Sequence, residues 1–434
     1  MMTPQEKPWQ DALQTVSIEK PLYGGAFLAR VEGKAVFVPL TLPGEQARVR
    51  ITEDKRGYAT AEAEEIVLAA PERVAPACPH FGACGGCHYQ HGGYETQLKL
   101  KQAVLVETLQ RGGVQVSAEI AVLAADPWQY RNRIRMAFDA AGNPGYRGRR
   151  SHAVVPVKEC PIAAPLLLEA AQAIAEVARQ LNPALRPTEI ALFSNADQSA
   201  LLTSVFTASA KKVRFDEFAA AVQQRIPALA SAELWVEGQA GTPSRLVTHW
   251  GANSLLYRAA GFDYRVDRGA FFQVNRWLVD ALVERVTANH RGALAWDLFA
   301  GVGLFARRLT GSFSRVVAVE SAPASTQALT ANLKGTSGIP VRAATLDFLR
   351  RDHQGVRPDL IVADPPRTGL GSETTTLLTG IAAPALVYVS CDPATLARDL
   401  RALIESGYAV ESITLADLFP QTFHLETVVQ LRHA

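Results

Sequence analysis

Ala385-Leu386-Val387-Tyr388-Val389-Ser390-Cys391-Asp392-Pro393-Ala394-Thr395 is a short apolar run that breaks off in polar residues and a proline. Its first five residues are partly β-branched and read as a buried parallel strand. Pro393 and Ala394 then open a helix carrying polar Thr395, Arg398 and Asp399. Cys391 thus falls at the carboxyl end of a strand, where open α/β sheets collect their ligands. A thiol delivered there is placed for nucleophilic attack. A lone cysteine is more often an inert buried one. The other strand ends of this half, which carry glycine or acid, tip the balance.

Further strands are expected at 294–299, 315–319, 341–344 and 360–363, with helices between them, the pattern of a doubly wound parallel sheet. Asp297-Leu298-Phe299-Ala300-Gly301-Val302-Gly303 closes the first strand, and its glycines let a ligand approach the backbone. Glu320 ends the second strand, where an acid grips ribose hydroxyls. Asp347 follows the third and suits an adenine amino group. The three-glycine fingerprint of a dinucleotide site is missing, and S-adenosylmethionine fits the shorter turn.

The fourth strand runs into Asp364-Pro365-Pro366-Arg367. Methyltransferases acting on base amines place an aromatic where Arg367 stands, so attack at a ring carbon fits better. Carbon 5 of uracil is a poor nucleophile until a thiolate adds to carbon 6. A base must then remove the carbon 5 proton. This chemistry demands one cysteine and one separate base. Cys391 supplies the first; Glu426 and His424 are both candidates for the second.

The 434 residues allow two or three domains. A hydrophobic fraction of 48% and a charged fraction of 20% fit a soluble globular chain. No run of eighteen apolar residues occurs, so no membrane role is expected. Residues 1–7 lack the apolar core of a leader, and a cytoplasmic location is expected. The net charge of +2 is too small to announce a nucleic-acid binder, so such a role must come from local patches.

Residues up to about 68 read as a small β module of short strands, with turns at Gly24-Gly25, Glu32-Gly33 and Pro43-Gly44. Arg30, Lys34, Arg48, Arg50, Lys55 and Arg56 lend it basic character. A proline-rich linker covers 71–79. Helical spacing covers 94–111, with Leu98, Val104, Leu105 and Leu109 as its apolar stripe. A hairpin is expected across 131–150, with Arg131, Arg133 and Arg135 on one face. With Arg147, Arg149, Trp128, Tyr130 and Tyr146 nearby, it reads as a phosphate-contacting, base-stacking surface rather than a merely solvated one. Residues 165–266 look like α+β with little chemistry.

Five cysteines are present, an odd number, which suggests four ligands plus one reactive thiol. Cys78, Cys84 and Cys87 fall within ten residues, and Cys160 lies far along the chain. Four thiolates suit zinc or an iron–sulfur cluster. Zinc ribbons use two paired knuckles, whereas only one such pair exists here. The Gly85-Gly86 spacer leans toward a cubane cluster, because glycine leaves bare amides near the sulfurs.

Together these residues resemble the class-I S-adenosylmethionine-dependent RNA 5-methyluridine methyltransferases, of the RumA/RlmD kind that carry a TRAM domain and an iron–sulfur cluster. The likeness rests on the four cysteines, Phe271-Phe272-Gln273-Val274-Asn275, the 297–303 turn, 364–367, 390–395 and 419–426. It implies Cys391 as nucleophile and Glu426 as proton acceptor. It also implies cofactor or target-base contacts at Gln273, Phe299, Glu320, Asp347 and Asp364, and a [4Fe–4S] cluster on Cys78, Cys84, Cys87 and Cys160. Three chain positions depart from the pattern: Ala300 where many members have Cys, Leu304 where some have Asn, and Gln421 where others have His.

The expected architecture is an α/β Rossmann-like methyltransferase domain with an N-terminal OB-like TRAM β-barrel and a central α+β iron–sulfur domain. The boundaries are 1–70 for the barrel, 71–262 for the central cluster-bearing and RNA-binding domain, and 263–434 for the catalytic domain. Helix 94–111 is expected to pack on the last. The expected activity is methylation of carbon 5 of a uridine in RNA through a covalent Cys–C6 adduct. Large-subunit rRNA is the leading substrate, by analogy, and the protein is expected to be a monomer. The rivals are a tRNA uridine methyltransferase, a cytosine-5 methyltransferase, and a cysteine-cluster RNA-binding protein with an inert catalytic domain.

Overall fold

The computed structural model describes residues 13–115, 119–181, 184–238, 242–351 and 355–433. The leader reading of residues 1–7 lies outside them. The chain divides into two compact units, Met1–Glu107 with Phe419–His424, and Thr108–Leu418 with Leu425–Ala434.

In the first unit six strands form one sheet, in the order Leu13–Ser17, Gln46–Asp54, Tyr58–Leu68, Lys34–Pro39, Ala26–Val31, Lys20–Pro21. Gln46–Asp54 alternates as its sequence does: Ala47, Val49 and Ile51 are buried, and Arg48 and Arg50 point out. Three register shifts along its ladder with Tyr58–Leu68 bend the sheet. The basic character expected here is largely cancelled by cross-strand acids. Arg48 pairs with Glu65, Arg50 with Glu64, and Lys34 with Asp54.

Helix Tyr94–Arg111 follows the expected bounds. Its buried face is not the apolar stripe alone, because Gln97 and Lys101 are buried on it as well. Both hold the backbone of 419–424. Gln97 donates to Gln421 Oε1 at 2.8 Å and accepts from Gln421 N at 3.0 Å, and Lys101 donates to the Phe419 carbonyl at 2.9 Å. His88 N and Tyr89 N donate to the Gln421 carbonyl from the segment after the cysteines, at 2.8 and 3.0 Å.

The second unit contains two large sheets. One runs Val154–Pro156, Pro144–Arg147, Arg133–Phe138, Pro187–Ser194, Leu201–Thr207, Leu229–Val236, Arg245–Gly251. Helices Pro165–Leu181 and Phe215–Arg225 share a core with one of its faces. The other sheet has the order Gly338–Arg342, Phe313–Glu320, Gly292–Leu298, Leu360–Ala363, Ala385–Ser390, Glu426–His433, Tyr408–Ala416, Ala121–Leu123. All five strands expected for the doubly wound sheet are present. They pair in parallel, and Glu426–His433 enters antiparallel to both neighbours. Chain order reverses between Gly292–Leu298 and Leu360–Ala363, which opens a crevice at their carboxyl ends. Among the described residues no helix is long and apolar enough to cross a membrane.

One buried acid ties this edge of the sheet together. Asp399, 2% exposed, accepts from Tyr388 Oη, Leu370 N and Arg398 Nε, each at 2.8 Å. A strand, the loop after its neighbour and helix Pro393–Glu405 thus meet on one carboxylate. Gly369 (φ 72°) lies so close that a Cβ would stand 2.5 Å from Asp399 Oδ2. We expect Asp399→Ala to cost about 2–4 kcal/mol in urea denaturation, because it strands two buried donors. Tyr388→Phe should cost less than half of that. Equal stability of Asp399→Ala and wild type would show that water replaces the acid.

Candidate active site

Strand Gly292–Leu298 hands over to helix Leu304–Leu309 through a turn with three left-handed residues, Phe299 (φ 65°), Gly301 (φ 56°) and Gly303 (φ 90°). A Cβ on Gly303 would lie 2.6 Å from Leu329 Cδ1, while one on Gly301 would meet nothing within 4 Å. The turn is therefore packed behind Gly303 and open beside Gly301, the cradle a ligand needs. Glu320 braces it, accepting from Gly301 N at 2.9 Å and Ala322 N at 2.6 Å, one bond per carboxylate oxygen. Each oxygen retains a lone pair for a ribose hydroxyl. Asp297 is fully buried, and its Oδ2 accepts from Ala306 N at 2.8 Å. Its Oδ1 has no partner among the described residues. Burial raises this carboxyl to about 8, and the charges of Asp364 and Glu320 add to the shift.

The 271–275 run is fixed by its buried members. Phe272 packs on Tyr257, with ring centroids 4.3 Å apart. Buried Asn275 donates to the Asp417 and Leu418 carbonyls and accepts from Trp277 N at 3.0 Å. Buried Asn132 donates to the Gln273 carbonyl at 3.0 Å. Gln273 is thereby held by its backbone, and Phe271 is left 58% exposed.

Cys391 follows strand Ala385–Ser390, and Asp392 caps the next helix by accepting from Ala394 N and Thr395 N at 3.0 and 2.9 Å. The last ladder pair between Ala385–Ser390 and Glu426–His433 is Ser390 with Thr427. One step further sets Cys391 opposite Glu426. The loop bearing Asp364 is latched to the same helix, because Thr395 Oγ1 donates to the Arg367 carbonyl at 3.2 Å and Arg398 to the Thr368 carbonyl at 2.9 Å.

The electrostatics report this convergence. Burial pushes the Cys391 thiol up to about 12; the charges of Glu426 and Asp364 add to the shift and Arg367 opposes it. Glu426, 6% exposed, is held well above the usual carboxylate range by burial and then by Asp364, with Arg367 opposing. Desolvation raises Asp364 to about 7. Cys391, Glu426, Asp364 and Arg367 therefore form one interacting group.

Other expected residues stand differently. Asp347 lies in the first turn of helix Thr345–Arg351, solvent-exposed and 3.9 Å from Arg350. His424 belongs to the first unit, its ring packed on Phe419 and Phe423. Cys78, Cys84 and Cys87 are half-buried in the first unit, and Cys160, also half-buried, belongs to the second. Gly86 N lies 3.4 Å from Cys84 Sγ, the bare amide-to-sulfur contact expected of a sulfur ligand loop. Among the described residues no three His, Cys, Asp or Glu side chains gather as a metal-holding group.

The arginine hairpin is a correction. Its strands are Arg133–Phe138 and Pro144–Arg147, so Arg131 and Arg149 lie outside them. Arg133 donates through Nη2 to the Ala270 carbonyl at 2.8 Å, Arg135 pairs with Glu189, and Arg147 donates to the His152 carbonyl at 3.1 Å. Tyr130 is fully buried and Tyr146 packs on the helix-covered core, so neither is a free stacking surface. Alternation places side chains on a face but does not say what already occupies that face. Asn275 belongs to the 271–275 run on which the family likeness rests, whereas Asn132 and Asp399, which also fix the site loops, carried no signal beyond being polar.

The family profile described as tRNA (Uracil-5-)-methyltransferase matches residues 352–434, and that of the TRAM domain matches residues 12–63. An uncharacterized RNA methyltransferase of Thermotoga maritima is 31% identical over 438 residues, 96% of this chain and 99% of that protein. The 23S rRNA (uracil(1939)-C(5))-methyltransferase RlmD of Klebsiella pneumoniae is 32% identical over 425 residues, 93% of this chain and 92% of that one. In fold, the chain is similar to the Pyrococcus abyssi tRNA (uracil-54, C5)-methyltransferase solved with S-adenosyl-L-homocysteine. The TM-score is 0.77 at 23% identity, over 96% of this chain and 100% of that one. With its TRAM domain, its parallel sheet and near-complete coverage by relatives of this kind, the chain belongs to the S-adenosylmethionine-dependent RNA (uracil-5)-methyltransferases.

Proposed function

We propose that the protein methylates carbon 5 of one uridine in large-subunit rRNA through a covalent adduct on Cys391. The observation that carries this reading is the ladder register that sets Cys391 opposite Glu426, with Asp364 acting on both. The choice of rRNA is supported by the names of the RlmD relatives; the structural neighbour named for tRNA supports the fold alone. S-adenosylmethionine supplies the electrophilic methyl group.

The Cys391 thiolate adds to carbon 6, the electron pair of the 5,6 double bond moves toward carbon 5 and the carbonyl, and carbon 5 takes the methyl. Glu426 then accepts the carbon 5 proton, the double bond re-forms and the thiolate leaves. A desolvated carboxylate binds protons more tightly than one in water, which suits it to a weak carbon acid. Gln273, Phe299, Glu320, Asp347 and Asp364 contact cofactor or base, Asp364 both. Asp347 itself is exposed on the first turn of helix Thr345–Arg351.

Cys78, Cys84, Cys87 and Cys160 are proposed as [4Fe–4S] ligands on their spacing and the Gly86 amide beside Cys84. No chemical step is routed through a cluster. The central part of the chain is accordingly read as the cluster-bearing and RNA-binding domain, and the protein as a cytoplasmic monomer.

The first expectation concerns the adduct. Wild type should form a covalent complex with 5-fluorouridine rRNA, and Cys391→Ala should lose methyl transfer while still binding S-adenosylmethionine. Glu426→Gln should accumulate a methylated protein–RNA species with ordinary uridine RNA, seen as a gel shift, whereas His424→Gln should not. Accumulation with His424→Gln and normal turnover with Glu426→Gln would move the base to the imidazole. Labelling that appears on cytosine would establish the rival base.

The second concerns the thiol. Its proton is held by burial and by carboxylate charge, and Asp364 carries charge only above about 7. Asp364→Asn should therefore speed iodoacetamide alkylation of Cys391 a few-fold at pH 8.5, with the gain vanishing below pH 7. Arg367→Gln should slow it. Peptide mass spectrometry separates Cys391 from the other cysteines, and unchanged rates in both variants would show that the group is not coupled.

The third concerns metal. Anaerobically purified protein should be brown, with about four irons per chain. Stoichiometric zinc without iron would overturn the cluster.

A further inference from the structure

The seven-stranded sheet has a second face, opposite the two helices. Ile134, Met136, Ile190, Leu192, Leu201, Val205, Ala232 and Leu234 enter the helix-covered core. By strand alternation, Arg133, Arg135, Phe193, Ser204, Phe206, Glu233 and Trp235 point the other way. Ladder register brings Phe193 beside Arg133 and Phe206 beside Trp235. These residues, with Asp267, Arg268 and Gly269, line a hollow of about 390 Å³. That volume lies within the roughly 300–1,000 Å³ of small-molecule sites.

The lining has a defined chemistry. The Phe206 and Trp235 rings lie side by side, 6.1 Å apart at 23°, and both are only half-buried. The Arg135 guanidinium stands 4.9 Å from the Phe206 ring and that of Arg133 stands 4.4 Å from Phe193. The acids are already committed. Glu233 accepts from Ser204 Oγ at 2.8 Å and Trp235 Nε1 at 3.0 Å and pairs with Arg268 at 3.5 Å, and Asp267 pairs with Arg265. The spare capacity is therefore in donors. Arg133 Nε and Arg268 Nη1 are buried with no acceptor among the described residues. A flat aromatic platform beside unused guanidinium donors suits a nucleobase that presents carbonyl acceptors.

Position adds the second argument. Arg133 Nη2 donates to the Ala270 carbonyl at 2.8 Å, and Arg268-Gly269-Ala270 leads directly into the loop that carries Gln273. We infer that this hollow takes an unstacked RNA base other than the methylated uridine, stacked on Phe206 and Trp235 and bonded by Arg133 and Arg268. This rests on the proposal that the substrate is RNA. It places recognition of a neighbouring nucleotide on the sheet face, to which the hairpin strand Arg133–Phe138 contributes Arg133 and Arg135.

The test uses the full-length protein and a 23S rRNA transcript. Ultraviolet cross-linking of wild type should attach a nucleotide to a peptide containing Phe206 or Trp235. Trp235→Ala should weaken transcript binding about tenfold in a filter assay, as expected for loss of a stacking partner, with S-adenosylmethionine affinity unchanged. Trp235→Phe should restore most of it, which separates stacking from misfolding. Cross-links confined to other peptides, or equal transcript affinity for Trp235→Ala and wild type, would overturn the inference. Methylation of the same transcript is scored separately. Cross-linking at the hollow without methylation supports the hollow and sinks the rRNA reading, whereas methylation with no effect at the hollow sinks the hollow alone.

Discussion

The antiparallel ladder between Ala385–Ser390 and Glu426–His433 is the constraint on which the site depends. In an all-parallel sheet every strand brings the residue after its end to the same edge. A strand that enters backwards brings its first residue there instead. The register from Ala385–Arg432 to Ser390–Thr427 leaves no freedom about which one that is. A shift by one residue would turn the Glu426 side chain to the other face of the sheet. The position of the carboxylate beside the thiol is thus a consequence of backbone pairing, and only secondarily of side-chain packing.

The same edge gathers acids that oppose one another. Asp297, Asp364 and Glu426 are each held above their usual range, with burial as the first cause in all three. Such a cluster destabilises the fold relative to apolar residues of the same volume. Its persistence needs a framework stiff enough to bear it, and the contacts around Asp399, Asn275 and Asn132 supply one. These residues touch no reacting atom in the proposed chemistry. They fix the three loops on which the reacting residues stand.

Much of the fold was legible because its signals are local. Apolar runs marked all five parallel strands, four of them ending in glycine or acid, and period-two alternation marked the N-terminal sheet. The turn at 297–303 and the strand end at Cys391 followed from those runs alone. What stayed hidden was pairing across long separations. Gln97 and Gln421 are 324 residues apart and meet through reciprocal bonds, and nothing near either announces the other. The arginines at 133 and 135 show the opposite failure. Their spacing correctly put them on one face, but the Ala270 carbonyl and Glu189 that engage them come from elsewhere in the chain. Exposed Asp347 was placed by its strand end alone, without knowledge of which way its helix turns.

The segment 419–424 links these observations. It is bound by backbone and side-chain hydrogen bonds from Gln97, Lys101, His88 and Tyr89 within the first unit, and the chain then passes through Leu425 into strand Glu426–His433. Gln421 adopts a left-handed backbone (φ 68°) with its carbonyl accepting two amides, a conformation that costs a non-glycine residue energy unless its surroundings enforce it. The departure from the family pattern at Gln421 is then intelligible. The Gln421 side-chain oxygen accepts from Gln97 Nε2, while the donation back to Gln97 Oε1 comes from the Gln421 backbone amide, so the side chain is asked only for an acceptor. Gln421, a few residues before strand Glu426–His433, thus meets its partner on helix Tyr94–Arg111. The lead-in to that strand is set by residues that the sequence places near the cysteine segment, at the other end of the chain.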